Sequence, residues 1–220
     1  MKKTSVMILA AGRGMRMMPL TENTPKPLLK IGKHPLLEWH IINLKKAGFK
    51  NIVINISYLG EQIIKTIGDG EKYGVKIQYS DEKDNILETA GGIKKALPLL
   101  GDKAFIVVNS DIKTNFDFKK LSLKKNKNAN LVLINNPDFN PNGDFYHHNS
   151  KQKYTFAGIA IYHPRFFENI PHKKAPLAPH LKQALENKDA YTTLYNGIWQ
   201  DIGTPERFYK ACGTTEKIKY

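Results

Sequence analysis

Short apolar runs rich in Val and Ile alternate along this chain with stretches of helical period, and few architectures accommodate that alternation. Residues 5–9 are apolar on both parities, which suits a strand covered on both faces of its sheet. Further strands are expected at 51–56, 75–79, 104–108, 130–134 and 154–162, with short strands inside 191–199. Residues 35–47 read as a helix, with Leu36, Leu37, His40, Ile41 and Leu44 near one face and Gly48 as its stop. Helices are also expected at 60–67, 91–100, 116–125, around 165–168, at 177–186 and at 205–217. From 135 to 152 the pattern dissolves into Asn, Pro, Asp and His, which reads as a loop or hairpin. The alternation predicts an α/β fold, an open, mostly parallel twisted sheet with helices on both faces. No internal repeat or linker divides it, so residues 1–220 are read as a single domain. In such sheets ligands sit beyond the carboxyl ends of the strands, so functional residues should follow strands directly.

Charge and cysteine usage narrow the partners. The net charge is +14, yet it is overwhelmingly lysine, with Arg13, Arg16, Arg165 and Arg207 the only guanidinium groups. One cluster, Lys119, Lys120, Lys124, Lys125 and Lys127, is expected to paint the solvated face of the 116–125 helix. Nucleic acid is therefore not the expected partner, although a basic surface would steer a polyanion into a site. The single cysteine, Cys212, excludes an internal disulfide and a thiolate metal cluster, and it fits a reducing compartment. The apolar stretch 6–11 is followed at once by Arg13 and Arg16, against the ~7–15 apolar residues of a secretory core. No segment approaches the ~20 apolar residues that span a bilayer. A soluble cytoplasmic protein without a membrane partner is expected, its oligomeric state left open.

The loop after the first strand runs Ala10-Ala11-Gly12-Arg13-Gly14-Met15-Arg16-Met17-Met18-Pro19-Leu20-Thr21, then Thr24-Pro25-Lys26-Pro27. Small residues let successive backbone N–H groups face phosphate oxygens; Arg16 can fork onto two of them, and Lys26 supplies a point charge. A dinucleotide fingerprint would need a third glycine and an immediate helix, which Arg16 and Pro19 oppose. A Walker loop would need a lysine directly after its last glycine, and there is none. A plain glycine-rich turn is the bland alternative.

The string Leu-Ala-Ala-Gly-x-Gly-x-Arg-Met-x-Pro-Leu-Thr followed by Pro-Lys-Pro resembles the opening motif of the sugar-nucleotide pyrophosphorylases. These sugar-1-phosphate nucleotidylyltransferases include glucose-1-phosphate thymidylyltransferases and mannose-1-phosphate guanylyltransferases. The resemblance implies a Rossmann-like nucleotidyltransferase fold in which Ala10, Ala11, Gly12, Gly14 and Arg16 hold a nucleoside triphosphate, with Lys26 on the reacting phosphates.

Other stretches extend the likeness. In Leu87-Glu88-Thr89-Ala90-Gly91-Gly92-Ile93, Thr89 is a plausible helix N-cap; in the family this segment packs against the nucleobase. Thr89 and Gly91 are thus expected nucleotide contacts, with Glu82 at the edge to accept the N3–H of uracil or thymine. Asp111 follows a buried apolar strand, where a turn or cap residue and a metal ligand are equally ordinary readings; the family's Gly/Asn-x-Asp binds Mg²⁺ there. Asp201 stands in Trp199-Gln200-Asp201-Ile202-Gly203-Thr204, which resembles the family's Trp-x-Asp-x-Gly-Thr motif. Two carboxylates suit Mg²⁺, the expected cofactor. His147 and His148 are read as solvent-exposed. On the sugar side the resemblance implies Asn109, Asp144, Phe156, Gly158 and Trp199, although Phe156 alternates like a core residue.

The likeness covers nearly the whole chain and is greatest to the small N-acetylmuramate-1-phosphate uridylyltransferases of bacterial cell-wall recycling. It rests on residues 87–92, 96–102, 143–145, 155–159 and 176–179. It implies transfer of UMP from UTP to a sugar-1-phosphate with release of pyrophosphate, through Arg16, Lys26, Asp111 and Asp201. The alternatives are mannose-1-phosphate with GTP, glucose-1-phosphate with dTTP, phosphocholine with CTP, and a non-catalytic nucleotide-binding regulator. The sequence departs at 146–153, where many relatives carry a Glu-Lys-Pro whose lysine grips the sugar phosphate; Lys151 and Lys153 are the nearby candidates.

Overall fold

The computed structural model describes residues 4–83 and 87–213. In chain order the elements are β1 (Val6–Leu9), β2 (Lys30–Ile31), β3 (His34–Pro35), α1 (Leu36–Lys46), β4 (Asn51–Ile56), α2 (Gly60–Ile67), β5 (Lys76–Asp81) and α3 (Glu88–Leu100). There follow β6 (Phe105–Asn109), β7 (Ile112–Thr114), β8 (Ala129–Ile134), β9 (Phe145–Tyr146), β10 (Lys153–Tyr162), α4 (Ala178–Glu186), β11 (Ala190–Leu194), β12 (Trp199–Asp201) and α5 (Pro205–Cys212).

Eight strands form one sheet in the order β11-β8-β10-β6-β1-β4-β5, with β9 paired to β10. The pairs β1–β4, β1–β6, β4–β5 and β8–β11 are parallel. β10 runs antiparallel to both β6 and β8. This is the expected mostly parallel α/β sheet. Its strands divide their side chains between two cores. Val6 and Ile8 of β1 join Leu37, Ile41 and Leu44 of α1 and Ile63 and Ile67 of α2. Met7, between them, joins Ala90, Ile93 and Ala96 of α3 and Leu181 of α4 on the opposite face. Each fully buried Ile, Leu or Met contributes roughly 1.5–3 kcal/mol, so a one-residue slip of β1 would forfeit both sets of contacts.

After β1 the chain builds β4 and β5 on one side, then crosses back through α3 to place β6 on the other. β1 is therefore the strand at which the order reverses, and a crevice opens beyond its carboxyl end.

Three expectations need correction. Residues 116–125 form no α-helix, only a short 3₁₀ turn at Phe118–Lys120. The apolar positions 116, 118, 121 and 123 are spaced by two and three, so an irregular segment seats Phe118 and Leu121 in the core. Asp117 accepts from the Lys119 N–H, and the Tyr191 hydroxyl bonds Ser122 O at 2.7 Å and receives Lys124 N–H at 3.1 Å. The lysine cluster thus lies along a tethered loop. Around Arg165 the helix is likewise a 3₁₀ turn, Pro164–Phe167. The last helix ends at Cys212 with Gly213 left-handed; residues 214–217 of the expected helix lie outside the described residues. Among the described residues no helix is long and apolar enough to cross a membrane.

Candidate active site

A cavity of about 350 Å³ opens beyond the carboxyl end of β1. Ala10, Ala11, Gly12, Gly14, Arg16 and Lys26 line it from the β1 loop, Glu82 from the end of β5, Thr89 from α3, and Asn109 and Asp111 from the end of β6. These residues come from four distant parts of the chain. Asn55 of β4 ties two of them together. Its carbonyl accepts the Ala10 N–H at 2.8 Å, and its amide donates to the Glu82 carboxylate at 2.7 Å. Sequence reasoning missed Asn55, though the signal was present: an amide between Ile54 and Ile56 within the strand Asn51–Ile56. Glu82 is only 2% exposed, and burial pushes its carboxyl above the usual carboxylate range against the pull of Asn55, the Leu87 N–H and Lys95. It therefore faces the cavity as a held hydrogen-bonding group.

Lys26 and Asp111 meet at 2.6 Å on the cavity wall, with the lysine side chain 11% and the carboxylate 27% exposed. Lys26 begins a 3₁₀ turn fixed by Pro25 and Pro27, so the ammonium is presented on a stiffened segment. Asp111 sits in the turn between β6 and β7, and behind it lies His40 of α1, 3% exposed. Burial lowers the His40 imidazole to about 4 against the opposing pull of the Ile112 backbone and the Asp111 charge. A neutral ring supporting the Asp111 turn had no reading in the sequence beyond a helix face.

Asp201 is delivered to the same end of the sheet by β12, which pairs antiparallel with β7 so that Asp201 lies opposite Ile112. The Ile202 N–H donates to the Asp111 carbonyl at 2.8 Å, and Ile202 itself is buried with Met17, Ile31, Leu36 and Phe208. The Asp201 carboxylate does not line the cavity. Its Oδ1 accepts from the Gly203 N–H at 2.6 Å and pairs with Arg207 at 3.0 Å. Among the described residues no group of three or more His, Cys, Asp or Glu forms a metal cluster. Asp111 and Asp201 are hard carboxylate donors of the kind Mg²⁺ prefers; each pairs with a cation, Lys26 or Arg207, and one oxygen of each carries no hydrogen bond among the described residues.

A second cavity, of about 520 Å³, adjoins the first and shares Leu9, Glu88, Thr89 and Asn109 with it. Asp144, Phe156 and Gly158 line this one, together with Phe145, Tyr162 and Leu177. Gly158 has φ +70° within a bulge of β10, and a Cβ there would stand 2.7 Å from the Asn109 amide. The bulge needs glycine to let Asn109 approach. Asp144 accepts from the Phe156 N–H at 2.8 Å and from Asn140 at 3.1 Å.

Some expected site residues lie elsewhere. Trp199 lines neither cavity; its indole donates to the Ala157 carbonyl at 2.9 Å behind β10. Gly91 also lines neither, packing instead against the 173–175 backbone. Thr89 is no N-cap, because α3 begins at Glu88 and Thr89 lies in its first turn. His148 is exposed, but His147 is half-buried and its Nδ1 lies 2.8 Å from the Thr192 hydroxyl.

The nucleotidyl transferase family model matches residues 5–145. The N-acetylmuramate alpha-1-phosphate uridylyltransferase of Neisseria meningitidis serogroup B is 46% identical, with 93% of this chain and 95% of the relative covered. A mannose-1-phosphate guanyltransferase of Yarrowia lipolytica is 30% identical over 92% of this chain, which spans only 61% of that relative. Among solved structures, HddC from Yersinia pseudotuberculosis, complexed with GMP-PN, superposes with a TM-score of 0.78 at 24% identity, over 96% of this chain and 98% of the other. That likeness concerns the fold. The family match runs from the first strand through Asp111 to the wall of the second cavity, and the chain belongs to the nucleotidyl transferase family.

Proposed function

We propose that the protein transfers UMP from UTP to N-acetylmuramate-1-phosphate, releasing pyrophosphate, with Mg²⁺ held by Asp111 and Asp201, in cytoplasmic recycling of cell-wall sugar. The observation that carries this reading is the junction of two unlike cavities beyond β1. One is lined by Arg16 and Lys26 and suits a triphosphate; the other, roomier and walled by Phe145, Phe156 and Leu177, suits a substituted sugar. The identity to the Neisseria enzyme, over nearly its full length, supports the choice of substrates.

In this reading UTP occupies the first cavity, with its base toward Glu82 and Thr89. A phosphate oxygen of the acceptor attacks the α-phosphorus in line; the new O–Pα bond forms as the bond from Pα to the bridging oxygen breaks, and that oxygen leaves on pyrophosphate. The acceptor oxygen is already anionic near neutral pH, so no residue has to remove a proton. The task for the chain is to align two anions and offset their repulsion. Lys26, on the wall of the first cavity beside Asp111, lowers the repulsion where they meet, and Arg16 steadies the β- and γ-phosphates. Asp111 and Asp201 would hold Mg²⁺, which would offset negative charge on the triphosphate.

The test is pyrophosphate release with Mg²⁺, crossing UTP, dTTP, GTP and CTP against N-acetylmuramate-1-phosphate, glucose-1-phosphate, mannose-1-phosphate and phosphocholine. Release is expected with UTP and the muramyl phosphate. Preference for another pair would keep the reaction and discard these substrates; silence with all sixteen would sink the enzymatic reading.

A further inference from the structure

Among the described residues the second cavity has no cation in its own lining to meet the phosphate of the acceptor. Among the described residues two that line it are charged, Glu88 and Asp144, and both are acids. Asp144 is occupied, one oxygen on the Asn140 amide and the other on the Phe156 N–H. Lys26 pairs with Asp111 at 2.6 Å in the first cavity and does not line the second. A sugar phosphate seated here would face the Glu88 carboxylate with no cation on the cavity wall among the described residues.

One cation stands a single side chain away. Lys174 pairs with Glu88 Oε1 at 3.3 Å, and Glu88 lines both cavities, so the pair lies beside the place where they join. The backbone around Lys174 is fixed: Ala175 N–H donates to Leu87 O at 2.9 Å, and Ala175 O accepts the Ala90 N–H at 3.0 Å. The same strap continues into Pro176 and Leu177, which wall the second cavity. The Lys174 side chain itself is 67% exposed and able to change partner. Glu88, the anion it rests on, holds a left-handed φ of 56° as the first residue of α3. A non-glycine residue in that region is strained, and such strain collects at sites where a side chain must be aimed.

We infer that Lys174 is the acceptor-phosphate-binding residue: it rests on Glu88 and transfers to the phosphate of the incoming sugar-1-phosphate. A phosphate dianion offers more charge and more acceptor oxygens than a carboxylate, so the exchange runs toward substrate. The inference rests on the proposed transferase reading and specifies which group of this chain holds the acceptor.

The experiment is steady-state kinetics of the full-length Lys174→Ala and Lys174→Arg variants with UTP and N-acetylmuramate-1-phosphate. Lys174→Ala is expected to raise the acceptor KM by about 10-fold or more, leaving the UTP KM within about 2-fold, and Lys174→Arg to restore most of the loss. Unphosphorylated N-acetylmuramate, used as a competitive inhibitor, should bind both forms equally. An unchanged acceptor KM, an equal rise in the UTP KM, or equally weakened inhibition by the unphosphorylated sugar each overturns the assignment. If wild type turns over and Lys174→Ala matches it, the inference alone fails. If wild type turns over no sugar phosphate, the transferase reading fails and takes this inference with it.

Discussion

Asp111→Asn is expected to lower kcat by at least about 1000-fold, with the fold intact and a much smaller change in the UTP KM. The side chain is partly exposed and among the described residues its bonded partner is Lys26, so an amide of the same shape disturbs no core. What the amide loses is the charge that opposes Lys26 and, in the proposed mechanism, receives Mg²⁺. Losing an interaction made mainly in the transition state appears in kcat, whereas losing ground-state binding appears in KM. Circular dichroism and thermal unfolding of the variant separate a chemical defect from a folding one. Turnover within about 10-fold of wild type would remove Asp111 from the reacting centre.

The second large effect concerns a residue that touches no ligand cavity. Gly91→Ala lies in the interior of α3, where alanine ordinarily stabilises a helix by about 1 kcal/mol. Here the sign reverses. The new Cβ would stand 2.4 Å from the Lys173 carbonyl oxygen and 3.4 Å from the Ala175 N. To make room, the strap must leave α3, breaking the Ala90–Ala175 and Leu87–Ala175 hydrogen bonds and withdrawing Pro176 and Leu177 from the second cavity. A stability loss of about 1–3 kcal/mol in urea unfolding is expected, with an acceptor KM raised by more than about 10-fold. A variant as stable as wild type or more so would contradict the packing of the strap on α3.

These two residues mark how far the sequence could be read. The place of Asp111 beside the first cavity was legible: it lies two residues past the apolar strand Phe105–Asn109, where open α/β sheets bind ligands, while its metal role came only from the family resemblance. The same local logic located β4, from its apolar run, and α1, from its periodicity and the Gly48 stop. It failed where long-range packing outweighs local pattern. Residues 116–125 have a helical composition but no helical spacing, and Tyr191, distant in sequence, holds them as a loop. Gly91 resembled a nucleotide contact because motif position cannot report that the 173–175 backbone presses on it. Trp199 was expected beside a sugar, and its hydrogen bond to Ala157 becomes visible only once β12 is placed against β7. Asn55 and Lys174 were overlooked for a related reason. Each gains meaning from a partner, Glu82 or Glu88, that the chain brings close only on folding.

In the proposed reaction a nucleotidyl group moves intact from a triphosphate to a phosphate acceptor. Phosphorus NMR of the protein with UTP, N-acetylmuramate-1-phosphate and Mg²⁺ reads that event directly. The account predicts that the γ- and β-phosphorus signals of UTP are replaced by free pyrophosphate while the acceptor monoester signal disappears into a coupled diphosphate diester. Release of inorganic phosphate with formation of UDP, or loss of UTP with the acceptor signal unchanged, would contradict it.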